Sequence, residues 1–551
     1  MSTAARYSLS IAGILSVLQA LLAVPLLAQN RDVPVIRATT KLVQLNVVVL
    51  DNHRRPVSDL SRDEFEVFDN GHEQELSHFS VASAPPAGGR STAPPLVLTN
   101  RSGQPGETPG TVTIVLVDEM LAQNVQAGYY RAALQSARLD LLKFFGTLRP
   151  GQQVALYVLR LEGVVVIHDL TDDSAALLAA AKTIGAGQLK SRLSPVGARP
   201  DTAQAFATAP QLTARKTDLT EDLRRELVKE AFQSIAQHLQ GSPARKNIVW
   251  ISPSFLSLVT GFDPALMAAE RNAINPIPGA MLPVPEFANP EGHYNQLRGL
   301  ARQMSGANIS VYPMDAKGLV TGSAVNLAGE RSFMDLLASE TGGRAFYGAN
   351  GLDQDLRDVV DEGRVAYLLG YYPGDSAWDG KYHHVEVRLR RKGLSVLCRK
   401  GYFAAQEPLP NDSDTALHDA AKGMLEWSGI AVTLNVSSNP LEWFDQDVVV
   451  KLDTQEIDFA YTDGRWRANL DVAFVQLAKD GRVLQGVKDH VDLALFPESY
   501  KDAATQGWFY PKTLDIDPKA EKLRVVVRDL ATGALGSVSV PVNHPKGSGG
   551  G

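Results

Sequence analysis

The sequence predicts an α/β protein: a doubly wound sheet flanked by β-rich segments and followed by a C-terminal β-sandwich-like domain. Three observations carry this. Residues 111–121, Thr-Val-Thr-Ile-Val-Leu-Val-Asp-Glu-Met-Leu, open with an apolar, β-branched run, the pattern of a strand buried on both faces. The run ends in Asp118, and Ala133, Ala137, Leu141, Phe144 and Leu148 then recur at three- or four-residue spacing, one face of a helix. Strand, acidic loop and amphipathic helix open a doubly wound domain, whose ligands bind outside the carboxyl ends of the strands. Finally, two-residue alternation brackets this region, at 43–49 before it and at 385–390 and 430–542 after it, which places β structure on both sides.

The totals agree with a multidomain globular chain. At 551 residues it exceeds what one core supports, so three or more domains are expected. Apolar residues make up 44% and charged residues 21%, ordinary values for a packed protein. A net charge of −7 without a dense Lys/Arg block argues against nucleic acid as a partner. Arg6 precedes an apolar run from Ile11 to Leu27 that ends at Ala28. Residues 1–28 therefore read as a secretory signal peptide, with a membrane anchor as the alternative. No later segment could span a bilayer, so the mature chain is expected to be exported: periplasmic, on the outer surface, or secreted. With Cys398 as its one cysteine it forms no internal disulfide, and that residue reads as a buried strand position.

In chain order, residues 34–82 are a β segment in which Val43, Leu45, Val47 and Val49 alternate, and Asp69-Asn70-Gly71 marks a hairpin. Residues 83–110, rich in Pro, Gly, Ser and Thr, are a linker. The α/β domain runs from 111 to 352. After its first strand and helix come strands 154–159 and 164–167, a short helix 173–181 with an acidic start, and loop from 183 to 216. A confident helix spans 218–239, with Leu223, Leu227, Ala231, Ile235 and Leu239 on one face. A buried strand at 246–251 leads into a Pro-rich loop, and helix 294–304, strand 309–312 and helix 333–340 complete the alternation. Residues 353–404 are a second β segment, expected to pair with 34–82. A linker with a short helix (405–428), a β-sandwich domain (429–543) and a flexible tail (544–551) follow.

Three passages line up with one family. They are Asn46-Val-Val-Val-Leu-Asp-Asn with Pro56-Val57 and Leu60 to Gly71; Thr113 to Asp118; and Val365 to Tyr372 with Gly380-Lys-Tyr-His-His and Arg399-Lys-Gly-Tyr-Phe403. Over roughly residues 34–404 the chain resembles the bacterial VWFA-related (acidobacterial) domain family, whose core is a von Willebrand factor type A (Rossmann-like) domain. The resemblance implies a divalent-ion site: Asp-x-Ser-x-Ser after the first strand, a Thr from a later loop and an Asp after the fourth strand. Asp118 matches the first Asp, but the two Ser positions are Met120 and Ala122, and Pro253 stands at or near the later Asp. Thr213 or Thr217 are the options for the loop Thr. Hard cations need several oxygen ligands at once. Asp118, Ser252 and Ser254 are the candidate ligands that remain, a poor cage. The expected state is no cofactor, with Mg2+ or Ca2+ as the alternative. Asp118 is then expected to cap the following loop, and Glu119 to be solvated.

Enzyme motifs do not emerge: there is no Gly-x-Ser-x-Gly, no His-Glu-x-x-His and no phosphate loop. Gly185-Ala186-Gly187 is a turn. His383 and His384 adjoin on a strand and so point to opposite faces, which makes a poor chelating pair. Trp427, Trp443, Trp466 and Trp508 read as packing residues rather than a carbohydrate platform. The sequence thus points to an exported, non-enzymatic, protein-binding module with a degenerate metal site. Loops 184–217 and 252–292 are its contact surface. The alternatives are a cation-dependent adhesion protein and, behind it, an envelope hydrolase.

Overall fold

The structure, a computed structural model, describes residues 42–83, 98–100, 111–123, 128–185, 213–242, 244–255, 290–317, 324–348, 351–373, 379, 381–404, 413–423, 425–438 and 445–542. The signal-peptide and tail expectations, Trp443, and the middle parts of the two expected contact loops, 186–212 and 256–289, lie outside these residues.

The run that opens the α/β region forms the middle strand, Thr111–Asp118, of a five-stranded sheet. Across that sheet the order is Ile309–Asp315, Arg245–Ser252, Thr111–Asp118, Gln153–Arg160, Gly163–Thr171. The first four strands are parallel; the last is antiparallel and joins its neighbour as a hairpin. Each face carries its own apolar core. On one, Ile114, Leu116, Ile248 and Trp250 meet helices Thr213–Leu239, Pro290–Gly306 and Ala324–Thr341. On the other, Val115, Val117, Val249 and Ile251 meet helices Gly128–Gly146, Ser174–Ala181 and Leu352–Glu362. Burial on both faces is why these strands read as continuous rather than alternating apolar runs.

Several elements extend past the sequence reading. The helix expected at 218–239 starts at Thr213, so the expected loop ends earlier, and those at 294–304 and 333–340 start at Pro290 and Ala324. The first turns of two of them, Thr-Ala-Arg-Lys and Pro-Glu-Gly-His, are mostly polar and give an apolar-spacing argument nothing to start from. The helix Leu352–Glu362 was not expected: it straddles the expected boundary at 352, yet Leu352, Leu356 and Val359 pack against the same sheet.

The β segments before and after this domain interleave. Val43–Leu50 lies between Ser395–Leu397 and Val365–Tyr371, with His78–Ser83 on the outside. A second sheet runs Gly401–Phe403, Tyr382–Leu389, Phe65–Asp69, His72–Gln74. Its Asn70-Gly71 turn has φ of 49° and 84°, as a two-residue hairpin of this hand requires. The two sheets enclose one core of Val43, Leu45, Val47, Phe65, Tyr367 and Leu369. Val43–Leu50 is buried on its second face as well, at Asn46, Val48 and Leu50, so it is more than the half-buried strand that alternation suggests.

Two buried arginines fasten this unit to the five-stranded sheet. Arg245 Nη1 donates to Asn46 O at 3.0 Å, and its Nη2 donates to Gly342 O at 3.0 Å and to Tyr312 OH at 3.1 Å. Arg399 donates to Ser305 O and Gln44 O, both at 2.7 Å. Gly342, with φ +80°, leaves no room for a side chain: a Cβ would lie 2.6 Å from Arg399 N.

Residues 430–542 form two sheets around a core of Val432, Val450, Leu470, Phe474, Val525 and Val538 among others, and Leu417, Ala420 and Ala421 of helix Ser413–Lys422 pack with Val475, Leu477 and Val526 in a second cluster. The expected linker contributes here. Leu98–Thr99 adds an edge strand beside Val432–Ser438. Asn100 Nδ2 donates to Trp427 O and Ile430 O, both at 2.7 Å, and its Oδ1 accepts from Val432 N at 2.9 Å. Trp466 stacks on Tyr500 at 4.5 Å, and Trp508 on Tyr510 at 5.7 Å. Cys398 is half-buried just past Ser395–Leu397, and burial pushes its thiol up to about 11.

Candidate functional site

Strand register sets three polar residues in a row at the carboxyl end of the five-stranded sheet. Asp315 pairs with Ser252, and Val117 with Ile251, so Asp118 is the next residue beside Ser252. All three are buried. Asp118 Oδ1 accepts the Met120 N–H at 3.1 Å, which closes the turn after the strand. Its Oδ2 accepts the Ser252 hydroxyl at 2.9 Å and Arg224 Nη2 at 2.6 Å.

Arg224 is the residue the sequence reading missed. It is 2% exposed, against 0% for Asp118, and its Nη2 also donates to Ser254 O at 2.8 Å and lies 3.3 Å from Ser252 Oγ. The structure therefore brings the three candidate ligands together, but around a guanidinium. Ser254 contributes its backbone carbonyl; its N–H in turn donates to Ser252 Oγ at 3.3 Å. A signal was present. Arg224 precedes Leu227, Val228 and Ala231 by three, four and seven residues, which places it on the buried stripe of its helix. An arginine on such a stripe must find acceptors inside.

The acids around this row are satisfied in the same internal way. Glu119, expected to be solvated, is buried: Arg160 Nε donates to its Oε2 at 2.9 Å and Gly185 N to its Oε1 at 2.7 Å. Lys317 Nζ bonds Glu330 Oε2 and lies 3.8 Å from Asp315 Oδ2, and Glu330 Oε1 accepts Phe255 N at 2.7 Å. Burial nevertheless outweighs Lys317 and pushes the Asp315 carboxyl up to about 6.

A divalent ion does not fit this arrangement. The oxygen of Asp118 that would face it already holds Arg224 and the Ser252 hydroxyl, and a hard cation needs several free oxygens. Among the described residues no group of three or more His, Cys, Asp or Glu side chains could hold a metal ion. His383 and His384 do point apart: His384 is exposed, whereas His383 is buried with its Nδ1 2.9 Å from Asp69 Oδ1. Tyr371 and Tyr402 donate to the other oxygen of Asp69 at 2.9 and 2.7 Å. Burial raises both phenols, so these bonds keep their protons.

No protein family matches the chain, and no curated protein sequence does. Similar solved structures include the SpRpn10 VWA domain, at 16% identity over 45% of this chain and 93% of that one, with a TM-score of 0.23. Proximal thread matrix protein 1 from the mussel byssus aligns at 10% identity over 48% of this chain and 50% of that one, TM-score 0.23. The pilus adhesin SpaC from Lactobacillus rhamnosus GG aligns at 9% identity over 86% and 58%, TM-score 0.25. Superpositions this loose carry no functional argument. Among the described residues no helix is long and apolar enough to cross a membrane.

Proposed function

We propose that this chain is an exported, non-enzymatic protein-binding module built on a von Willebrand factor A-type sheet, in which Arg224 stands where such domains hold their divalent ion. The observation behind this reading is the buried Asp118–Arg224 pair, closed by Ser252 and the Ser254 carbonyl. A fixed guanidinium supplies the positive charge that the first-strand carboxylate needs, so the strand ends are held without an exchangeable ion. Recognition of a protein partner then falls to the surface of that end and is independent of cations.

Crosslinking in the native cell tests this, followed by recapture of the identified protein with purified chain. Capture that persists in millimolar EDTA and is lost when 186–212 and 256–289 are deleted is expected. Unchanged capture by the doubly deleted chain overturns the reading. Cation binding gives a second arm. Millimolar Mn2+ should raise the melting temperature of Arg224→Ala, which frees the Asp118 and Ser252 oxygens, and leave the parent unmoved. Calorimetric heat from Mg2+, Mn2+ or Ca2+ binding to the parent chain would instead favour a cation-dependent adhesion protein using Asp118, Ser252 and Ser254.

A further inference from the structure

Residues 425–429 connect the α/β unit to the C-terminal β unit, and both sides grip them. From the C-terminal side, Arg524 of strand Lys522–Asp529 donates to Leu425 O, and its Nη2 lies 3.2 Å from Glu426 Oε2. That carboxylate oxygen also accepts the Ser537 hydroxyl at 2.7 Å. From the α/β side, Leu425 packs into the core that helix Thr213–Leu239 covers. The Ser428 hydroxyl donates to His238 O at 2.5 Å and accepts the Gly241 N–H at 3.0 Å.

One residue at this joint is poised to change charge near neutral pH. His238 lies in the last turn of Thr213–Leu239, with its side chain 11% exposed. Its Nδ1 lies 2.5 Å from Glu426 O in the connecting segment. Its Nε2 lies 3.5 Å from Asp169 Oδ1, on the outer strand Gly163–Thr171 of the five-stranded sheet. A carbonyl and a carboxylate only accept, and a neutral imidazole carries a single N–H, so the charged ring alone serves both. The surroundings suit that charge. Helix carbonyls at a carboxyl end favour a cation. Burial works against the charged ring, but Asp169 and the Glu426 carbonyl outweigh it and the net shift is upward. Asp169 is itself held in place, since its Oδ1 accepts Tyr157 OH and Leu170 N, both at 2.8 Å. Burial and Asp169 raise the Tyr157 phenol, which keeps its proton. The neighbouring His168 bonds the Asp169 main-chain oxygen at 2.7 Å.

We propose that this joint is a proton-dependent latch: the charged His238 ring ties Glu426 of the connecting segment to Asp169 at the sheet edge, and loss of its proton releases one of the two and loosens the C-terminal unit. The proposal is independent of the reading of the Asp118 end. A histidine raised in the folded state contributes stability that is present at low pH and lost as pH rises through its folded value. The latch therefore closes in acid and slackens in base.

Amide hydrogen exchange on the full chain tests it from about pH 5.5 to 8.5, with rates scaled for the intrinsic pH dependence of exchange. Protection of 236–242 and 425–429 should fall about fivefold as pH rises, the worth of one hydrogen bond, while strand Arg245–Ser252 stays unchanged. His238→Gln should show the slack level at every pH. Asp169→Asn, which removes an exposed carboxylate and should leave the fold intact, should move the midpoint to lower pH. A merely structural His238 would give no pH dependence in the parent chain. Flat protection in the parent, or an unmoved midpoint in Asp169→Asn, overturns the proposal. So does a pH dependence that survives in folded His238→Gln, which would assign the titration to His168.

Discussion

Arg224 and Arg245 are both 2% exposed and both serve the same sheet, yet they are stabilised in opposite ways. Arg224, at the carboxyl end, meets a carboxylate, Asp118, at 2.6 Å. Arg245, at the amino end, forms no ion pair among the described residues and is solvated by Asn46 O, Gly342 O and Tyr312 OH. Arg399 repeats the second pattern with Ser305 O and Gln44 O. The sheet's geometry supplies the reason. Helices that return antiparallel to the strands bring their carboxyl ends to the strands' amino ends, and those helix ends carry partial negative charge. Ser305 lies in the last turn of Pro290–Gly306, and Gly342 directly follows Ala324–Thr341. Helix carbonyls therefore receive a cation at one end of the sheet. At the other end a carboxylate has to be matched by a charge.

The two modes should respond differently to mutation. Arg224→Met leaves Asp118 buried and unpaired, a loss of about 3–5 kcal/mol in chemical denaturation. Adding Asp118→Leu should recover much of that loss, because an ion pair can be replaced as a pair. A double variant no more stable than Arg224→Met would break the distinction. Arg245→Lys and Arg399→Lys should each lose about 2 kcal/mol, since a single ammonium cannot reach acceptors arranged for a planar fork. No second-site change should restore them, because most of their partners are backbone carbonyls; a side-chain suppressor would refute this.

The smallest effect sharpens the comparison through pH. The Asp315 carboxyl stands at about 6 in the folded chain against an ordinary 3.8. As pH falls from about 6 toward 4, the folded state takes up a proton that the unfolded chain does not, so stability rises with falling pH across that window. Asp355, also at about 6, acts in the same direction. Asp315→Asn should remove about 1–2 kcal/mol of that gain across the window. Its measurement is the unfolding midpoint at a series of pH values. An unchanged slope would place the titration elsewhere. The amino-end arginines stay charged throughout this range and add nothing to the pH response.

Much of this was legible in the chain. Thr111–Asp118 announces a central strand because both of its faces are apolar, and Asn70-Gly71 announces a hairpin because few residues accept its backbone angles. The pattern before and after the α/β region shows that each β segment needs a partner face. Leu352–Glu362 was legible too, since Leu352, Leu356, Val359 and Val360 recur at helical spacing with Asp353, Asp355 and Asp358 on the other faces, yet the reading placed a domain boundary there. Asp118, Ser252 and Ser254 were found as a set through the resemblance.

What the sequence determined by itself is local: periodicities of two and 3.6 residues follow from backbone geometry, so element type and buried face are written in neighbouring residues. What only the tertiary structure decided is which distant charge answers which. Arg224 lies 106 residues from Asp118, and Arg245 lies 199 from Asn46. No local rule links such positions. Their pairing is set by strand register and by the direction in which each helix returns, and these exist only once the sheet has formed.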